Sequence, residues 1–381
     1  MAVQTLSCPH LLDDGRLDGP FAVSVAAGVV TGVERRGPRA GDRVLDSGVL
    51  TAGMTDLQLN GAAGIDLAEA DLDGWAALAE HEARHGVTAF CPTFITAPLS
   101  DLVAALASTA AAAERLAGLP VAQPAGAHLE GPFLSPAFPG AHRAEFMRPP
   151  VADAVDALLA AWHAVPPAIV TLAPELPGAI PAIARLRAAG VAVSLGHSDA
   201  TATETAAAAD AGASLVTHLY NAQRPFTHRE PGVAGRALVD DRLVCGLIAD
   251  LHHVAPDALR LAFAAAPGRI ALVSDAMAAA GMPARGTYRH GPIEAVGRGH
   301  APPVLADGTL AGSALHLDEA VRNVVGLGVA REAALAAATS VPARAIGRSG
   351  AVRVGERADL VWWDDELRVQ AVWIGGTEVA V

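Results

Sequence analysis

The chain of 381 residues contains no lysine. It therefore lacks the amine that forms a Schiff base with a carbonyl substrate, and it lacks the lysine of a phosphate-binding P-loop. The carboxylated lysine that bridges paired metal ions in some hydrolases is excluded for the same reason. Any metal site or phosphate site in this protein must be built from other side chains.

Cysteine, aromatic residues and positive charge are also scarce. Cys8, Cys91 and Cys245 are far apart and form no CxxC pair, which excludes a zinc ribbon and a disulfide framework and favours a reducing, cytoplasmic compartment. Aromatic residues make up only 4%, too few for nucleic-acid stacking platforms, and the formal net charge is −13 without an arginine cluster. We therefore expect no nucleic-acid partner and no membrane partner, and we expect neither a signal peptide nor a membrane-spanning segment.

Apolar residues make up 52% of the chain, mainly alanine, valine and leucine, which suits helices packed closely on parallel strands. The length fits one barrel of about 250 residues together with a small second domain. Runs rich in β-branched residues and tryptophan, split by turn residues, lie at both ends of the chain. They predict a small β-sandwich domain built from residues 1–50 and 347–381, and a larger domain over residues 51–346.

The larger domain contains eight short apolar runs that alternate with Ala- and Leu-rich helical stretches. Such repeats indicate βα units, and eight of them close a (β/α)₈ TIM-like barrel. A doubly wound open sheet is the competing arrangement, but the glycine-rich dinucleotide turn after its first strand is missing. We therefore predict an α/β barrel with its strands in the runs 49–59, 86–94, 124–130, 168–174, 191–197, 214–220, 243–250 and 269–276.

Polar residues end several of these runs. In a barrel the carboxyl ends of the strands meet at one rim, where enzymes of this fold have their active sites. A lone histidine there is more often a structural group, and a lone aspartate is often a helix N-cap. Carboxylate, imidazole, imidazole and carboxylate on strands three, five, six and eight are harder to attribute to chance. These four are Glu130, His197, His218 and Asp275, and the other polar residues at or just beyond the ends of the runs are Gln58, Asn60, Asp250 and His253.

Glu130, His197 and His218 form a suitable set of three ligands for Zn²⁺, with the fourth position open to water as in catalytic zinc sites. A bound metal lowers the pKa of its water to about 7. Asp275 is then free to accept the proton as general base and to return it to a leaving amine as general acid.

A second metal-like pattern, HEARH at residues 81–85, matches the His-Glu-x-x-His signature of zinc proteases. Thr88 stands where the metzincin motif needs glycine, so no third ligand follows at that spacing. The helix that carries His81 and His85 follows strand one, and its C-terminal end is expected near the rim opposite the strand ends. We interpret the pattern as a solvated helix face and not as a catalytic centre.

Eight longer motifs follow one another along the chain. They are GMTDLQLNGAAGIDL (53–67), TAFCPTFIT (88–96), HLEGPFLSPAFPGAHRAEFMR (128–148), LGHSDAT (195–201), THLYNAQRPFTHREPGVAG (217–235), ADLHHV (249–254), LVSDAMAAAG (272–281) and DGTLAGSALHLDEAVRN (307–323). With these motifs, nearly the whole chain resembles the amidohydrolase superfamily, and within it the deacetylases of amino-sugar 6-phosphates.

The resemblance implies one divalent metal per subunit, held by Glu130, His197 and His218, with Zn²⁺ the best match and Fe²⁺ or Mn²⁺ as alternatives. The superfamily commonly has Asp-x-His-x-His at the end of strand one, where the two histidines hold a first metal. Gln58 and Asn60 stand at those positions here, and amides are poor zinc ligands. We therefore expect a single metal, and hydrogen bonds within the rim from Gln58 and Asn60.

The resemblance also implies the substrate, N-acetylglucosamine 6-phosphate or its galactosamine counterpart. Asp275 is then the catalytic acid and base, and the guanidinium fork of Arg229 holds the phosphate. The zinc together with His253 or a nearby donor polarises the acetyl carbonyl, and His252 is the rival of His253 because the family's Asp-Gly-x-His-Val is Asp-Leu-His-His-Val here. A homodimer is implied, because phosphate binding in the family draws on a neighbouring subunit. The remaining predicted contacts with the sugar are Ala141, His142, Asn221, Ala222, Leu310, Ala311 and Gly312.

The sequence thus predicts metal-dependent hydrolysis of the acetamide of an amino-sugar 6-phosphate, which yields acetate and the free amine. A related amidohydrolase for another N-acyl or cyclic amide is the second hypothesis, and Arg229 argues against it because a phosphate-free substrate has little use for that side chain. A non-catalytic binding protein is the third hypothesis. A binding protein has no need for a metal site beside an intact Asp275, so the presence of both argues against this hypothesis.

Overall fold

The computed structural model of the protein describes residues 3–13, 15–162 and 167–381. Strands from both ends of the chain build two small sheets. These strands are β1 (Gln4–Cys8), β2 (Leu11–Asp13), β3 (Arg16–Asp18), β4 (Phe21–Ala26), β5 (Val29–Arg35), β6 (Arg43–Val44), β7 (Val49–Ala52), β22 (Leu360–Trp363), β23 (Val369–Ile374) and β24 (Thr377–Val379). One sheet has the order β5-β4-β1-β6, and the other has the order β24-β23-β22-β7-β2-β3.

The two small sheets share one apolar core. Leu6 and Val23 come from the first sheet, and Leu50, Leu360 and Trp373 come from the second, and all five are buried in a single cluster. Two sheets that bury their inner faces against each other form a sandwich. The predicted small β domain built from both termini is therefore confirmed.

Eight parallel strands form the barrel. They are β8 (Met54–Leu59), β11 (Val87–Ile95), β13 (Ala127–Glu130), β14 (Pro167–Leu172), β15 (Ala192–Leu195), β16 (Leu215–Val216), β17 (Val244–Leu247) and β18 (Ile270–Leu272). Each pairs with the next in chain order. The ring closes beyond β18, where the Asp275 amide donates to the Gln58 carbonyl at 2.9 Å and the Asn60 amide donates to the Ala276 carbonyl at 2.8 Å. The predicted barrel is confirmed, and its strands overlap all eight predicted runs.

The first run departs from the expectation of a single barrel strand. It is divided into β7, which belongs to the terminal sandwich, and β8, which begins the barrel. Gly53 lies at the division, and a Cβ there would be 2.0 Å from Thr88 Oγ1, so only glycine allows this close approach. The division lies close to the predicted domain boundary at residue 50, and the domain bounds themselves stay a prediction.

Helices cover the outside of the barrel with alanine- and leucine-rich faces. In α1 the Asp71 side chain caps the first turn by accepting from the Gly74 amide, and Trp75 and Leu78 are buried. None of the helices in the described ranges has the length and hydropathy needed to cross a membrane. The helices are α1 (Leu72–Arg84), α2 (Leu99–Leu116), α3 (Ala152–Ala161), α4 (Ala179–Ala188), α5 (Ala202–Ala211), α6 (Gly232–Val239), α7 (Pro256–Ala265), α8 (Leu317–Gly326), α9 (Arg331–Ala338) and α10 (Ser340–Ala345), with a 3₁₀ turn at Ala144–Phe146.

An inserted three-stranded sheet lies between β18 and α8 in the chain. Its strands are β19 (Thr287–His290), β20 (Ile293–Arg298) and β21 (Ala301–Val304), in the order β19-β20-β21. Two short strands, β9 (Gly61–Ala62) and β10 (Ile65–Asp66), pair with each other after β8, and β12 (Gln123–Pro124) pairs with β11. The insertion brings residues from outside the repeating βα units next to the rim.

Candidate active site

The predicted site residues converge at the carboxyl ends of the barrel strands. Glu130 is the last residue of β13, His197 and His218 follow β15 and β16 by two residues, and Asp275 follows β18. All four are buried. His197, His218 and Asp275 have φ angles of 49°, 26° and 48°, in the left-handed region that non-glycine residues rarely adopt. Such backbone costs about 1–3 kcal/mol per residue and is concentrated at functional sites.

Glu130, His197 and His218 point their polar atoms at one another. Glu130 Oε1 lies 3.2 Å from His197 Nε2 and 2.8 Å from His218 Nε2, and the two Nε2 atoms are 3.1 Å apart. Two imidazole nitrogens and a carboxylate oxygen that face one common point, without an apolar group between them, fit a divalent cation. These three residues form a buried candidate metal site.

Neighbouring groups orient two of these ligands. His197 Nδ1–H donates to the Phe138 carbonyl at 3.0 Å, which orients the ring so that its Nε2 faces Glu130 and His218. Burial alone would raise the pKa of Glu130, but hydrogen bonds from His197 and His218 outweigh burial and hold that pKa well below its usual value. The carboxylate is therefore ionised, as a metal ligand must be.

Gln58 and Asn60 donate hydrogen bonds to the carboxylates of the site. Gln58 Nε2 lies 3.1 Å from Glu130 Oε1 and 3.0 Å from Asp275 Oδ1, and Asn60 Nδ2 lies 3.0 Å from the same Asp275 oxygen. Both amides thus turn their N–H groups toward the carboxylates. Asp56, from the same strand, accepts from the backbone amides of Gln58 and Ser274. The polar side chains of β8 link it to the end of β18.

The pKa of Asp275 is raised to about 7, first by burial and second by the nearby negative charge of Glu130. A group with this pKa accepts and returns protons near neutral pH, which suits a general base that later acts as general acid. The hydrogen bond from Asn60 opposes the rise because it stabilises the ionised form.

His142, on the loop after β13, lies against the metal-site residue His197, with ring centroids 4.3 Å apart, and Ala141 packs on the cluster that contains Met277 and Ala311. His142 Nδ1 accepts from the Thr96 amide at 3.2 Å, so its proton is on Nε2, which lies 3.8 Å from Glu130 Oε2. Burial, followed by the electrostatic effect of the neighbouring His197, lowers the pKa of His142 well below its usual value and keeps the ring neutral. His142 is therefore a hydrogen-bond donor at the rim. Sequence reasoning missed Thr96, although it ends a quoted motif at the end of β11.

The predicted sugar contacts Asn221 and Ala222 are half-buried beside His218. Asn221 Nδ2 donates to the carbonyls of His218 and Leu219, and the Ala222 carbonyl accepts from the Ser198 amide at 3.1 Å. Arg229 is on the same loop but is exposed, outside the buried group. The structure thus brings Asn221 and Ala222 to the metal ligands and leaves Arg229 at the surface.

His253 is held by Asp250. The His253 Nδ1–H donates to Asp250 Oδ2 at 2.6 Å, and Asp250 Oδ1 accepts from the backbone amides of His252 and His253. The His253 side chain is only 6% exposed, and its charge lowers the pKa of Asp275, whereas His252 is exposed. The geometry favours His253 over its rival as the group that faces the site.

The predicted loop at Leu310, Ala311 and Gly312 lies against the backbone of Asp275. The Ser313 amide donates to the Asp275 carbonyl at 2.7 Å. Gly312 has a φ of 61°, and a Cβ there would be 2.9 Å from the same carbonyl oxygen. Ala311 is buried and Leu310 is 36% exposed. Glycine at 312 is required by both the backbone conformation and the space.

The structure adds a histidine that sequence reasoning missed. His290, at the end of β19, is buried, and within the described residues neither of its ring nitrogens has a hydrogen-bond partner. It borders a cavity of about 530 Å³ that Asp66 also lines, and a Cβ on Gly312 would be 3.4 Å from its Cε1. Because it belongs to the inserted sheet, neither strand periodicity nor a motif pointed to it.

Comparisons with known proteins identify relatives of this chain. Residues 49–379 match the model of the amidohydrolase family. The chain is 41% identical over 371 residues to the N-acetylgalactosamine-6-phosphate deacetylase of Escherichia coli O157:H7, with 96% of each chain covered. It is 39% identical over 356 residues to the human N-acetylglucosamine-6-phosphate deacetylase, with 89% of this chain and 85% of that protein covered.

A solved structure is similar over the whole chain. It is a mutant N-acetyl-D-glucosamine-6-phosphate deacetylase from Mycobacterium smegmatis in complex with N-acetyl-D-glucosamine-6-phosphate. The TM-score is 0.93 at 35% identity, and the match covers 100% of both chains.

Proposed function

The chain belongs to the amidohydrolase family, and from that membership and the geometry of its site we propose that it hydrolyses the acetamide of N-acetylglucosamine 6-phosphate to glucosamine 6-phosphate and acetate. The protein is a hydrolase, and its relatives act on acetylated amino-sugar phosphates. The observation that carries the proposal is the position of Asp275, which shares the donor Gln58 with the metal-site residue Glu130.

The chemistry is divided between the cation and the side chains. We propose that Glu130, His197 and His218 would hold Zn²⁺, which would lower the pKa of a bound water and polarise the acetyl carbonyl. Asp275 accepts the proton of the attacking water and then protonates the sugar nitrogen, which leaves as an amine. Burial and the charge of Glu130 raise the pKa of Asp275, which suits a carboxylate that must both take up and release a proton.

The remaining side chains orient the substrate in this proposal. His253 keeps its Nδ1–H on Asp250, so Nε2 is free to face the acetyl group. His142 offers its Nε2–H at the rim, and Arg229 binds the 6-phosphate from the exposed loop. The backbone and small side chains at Ala141, Asn221, Ala222 and Leu310–Gly312 line the sugar.

A homodimer is part of the proposal. Two large apolar side chains are exposed here: Phe226, on the Arg229 loop, at 55%, and Val239, at the end of the following helix α6, at 73%. Exposed apolar groups next to a predicted phosphate site suit a subunit interface that also completes the site. Light scattering coupled to size-exclusion chromatography tests this arrangement, with a monomer at micromolar concentration as the contradicting result.

The galactosamine epimer is the second candidate substrate, because the Escherichia coli relative that matches over 96% of the chain is named for it. The deciding experiment measures acetate release from both N-acetylated hexosamine 6-phosphates and from both sugars without phosphate. Each assay is repeated after chelation and after Zn²⁺, Fe²⁺ or Mn²⁺ is added back. We expect turnover of a 6-phosphate only, lost on chelation and restored best by Zn²⁺. Equal turnover without the phosphate contradicts the proposal.

A further inference from the structure

Three histidines outside the active site meet between two helices of the barrel domain, α1 and α8. His81 and His85 lie on α1, and His316 is the N-cap of α8. The His81 ring centroid lies 5.0 Å from that of His85 and 5.1 Å from that of His316, and the other two centroids are 3.8 Å apart. All three residues are half-buried, so the expected solvated helix face at HEARH is wrong.

We propose that His81, His85 and His316 form a second site for a divalent transition metal, separate from the site at Glu130. One ring nitrogen from each histidine lies within 4.8 Å of the other two. Zn–N bonds of about 2.0–2.1 Å in a tetrahedron place ligand nitrogens about 3.4 Å apart. The rings of His85 and His316 are stacked at an interplanar angle of 11°, so binding of one ion by all three nitrogens requires that at least one of these two rings rotates. Imidazole is a ligand of Zn²⁺, Cu²⁺ and Ni²⁺ alike.

The surroundings of the three rings prepare them for an ion. His81 Nε2 is buried and has no hydrogen-bond partner within the described residues. His85 Nδ1 contacts Asp318 Oδ1 at 3.3 Å, and Asp318 in turn accepts from Arg322 at 2.6 Å. A carboxylate behind an imidazole is the usual device that orients a metal-binding histidine and leaves its other nitrogen free.

The space between the rings agrees with this assignment. Gly281 lies beside His81 and His316, and a Cβ there would be 3.0 Å from His81 Cε1 and 3.6 Å from His316 Cε1. A side chain at this position would fill the space between the two rings, and glycine leaves that space free.

The protease alternative for HEARH does not fit the burial of Glu82. In a zinc protease this residue acts as general base beside the metal, where it must reach the substrate. Here Glu82 is only 3% exposed and lies among the core residues of α1. We therefore assign the three-histidine site a structural role. It links the helix after β8 to the helix after β18, across the point where the barrel closes.

The test uses the full chain without a histidine tag, stripped of metal by chelation. Metal per chain is measured by mass spectrometry after titration with Zn²⁺ and dialysis, and Co²⁺ is used as an optical probe. We expect two ions in the native chain and one in the His81→Ala/His316→Ala variant. The control variant His10→Ala removes an exposed histidine and should still bind two ions per chain. Zn²⁺ also raises the melting temperature of an active-site variant, Glu130→Gln/His218→Ala, by several degrees.

Two results would overturn the site. One is a single ion per chain in the native protein. The other is a second ion that persists in the His81→Ala/His316→Ala variant, since it would then be bound elsewhere. If that variant fails to fold, the Glu130→Gln/His218→Ala variant still decides, because it retains all three histidines. The proposal is contradicted if the Glu130→Gln/His218→Ala variant shows no Co²⁺ absorption bands with one equivalent of Co²⁺ and if Zn²⁺ leaves its melting temperature unchanged.

Discussion

Asn60 donates to Asp275 Oδ1 at 3.0 Å, across the point where the first and last strands of the barrel meet. The same two segments exchange backbone hydrogen bonds, so the closure of the barrel and the placement of the proposed base depend on one set of contacts. An amide cannot take up a proton near neutral pH. Asn60 therefore tunes Asp275 without titrating itself.

We expect Asn60→Leu to move the pH dependence of the reaction. Asp275 acts as base only when ionised, so kcat/KM falls as the pH drops through its pKa, which is raised to about 7 before any cation is bound. The Asn60 amide stabilises the ionised form, and its loss raises that pKa. A hydrogen bond to a charged group contributes roughly 1.5–3 kcal/mol, so the acidic limb should shift upward by on the order of one pH unit.

The measurement is a pH profile of kcat/KM for acetate release between pH 5 and 9, with bound metal checked at each end. Asn323→Leu is the matched control, because the Asn323 amide, on α8, donates to the backbone carbonyl of Ala249 and not to Asp275. An acidic limb at the same pH in Asn60→Leu and in the native protein would show that Asn60 does not tune the base.

Asp275→Asn separates the base from the metal ligands. The carboxylate lies outside the group formed by Glu130, His197 and His218, so the variant should keep its metal. General acid–base groups contribute roughly 10²- to 10⁴-fold, and we expect kcat to fall by that factor. Metal content and kcat are measured on the same preparation. In contrast, Glu130→Gln should lose both metal and activity. If Asp275→Asn loses metal to the same degree, Asp275 is a ligand.

Much of the fold and of the candidate site follows from the sequence, because strand ends in a barrel share one rim. That rule is sufficient to bring Glu130, His197, His218 and Asp275 together from four separate runs. It does not fix side-chain direction. Whether His252 or His253 faces inward depends on the hydrogen bond to Asp250, and the division of the first run at Gly53 depends on Thr88 from another strand.

The parts that could not be predicted come from contacts between distant segments without a shared periodicity. His290 belongs to an inserted sheet, and His316 meets HEARH only because α1 and the start of α8 become neighbours when the barrel closes. The failed expectation of a solvated helix face at His81 and His85 has this cause. A helix pattern shows which side chains share a face, but not what packs against that face.

Arg229→Ala tests phosphate recognition. Arg229 is exposed, so its loss should leave the fold and the metal intact. We expect KM for the 6-phosphate substrate to rise about 10- to 100-fold, because a bidentate guanidinium–phosphate pair is lost, with a smaller change in kcat. Turnover of the sugar without phosphate, if measurable, should not change. Arg35→Ala, which removes an equal charge from the terminal sandwich, serves as control. If turnover of the substrates with and without phosphate falls equally, Arg229 maintains the structure of the loop and does not bind the phosphate.

Gly312→Ala should damage catalysis more than stability. Gly312 and Gly308 both have positive φ, at 61° and 90°, so alanine at either position is strained by roughly 1–2 kcal/mol. Only at Gly312 would the new Cβ also meet Asp275, 2.9 Å from its carbonyl oxygen, while nothing lies within 4 Å at Gly308. Displacing the base by a fraction of an ångström should lower kcat by roughly 10- to 100-fold in Gly312→Ala.

Gly308→Ala is the control. It should lower the melting temperature about as much as Gly312→Ala does and leave kcat unchanged. Thermal melts and kcat are measured in parallel on the two variants. An equal loss of kcat in both would mean that glycine is needed because of backbone strain in the loop and not because of contact with Asp275.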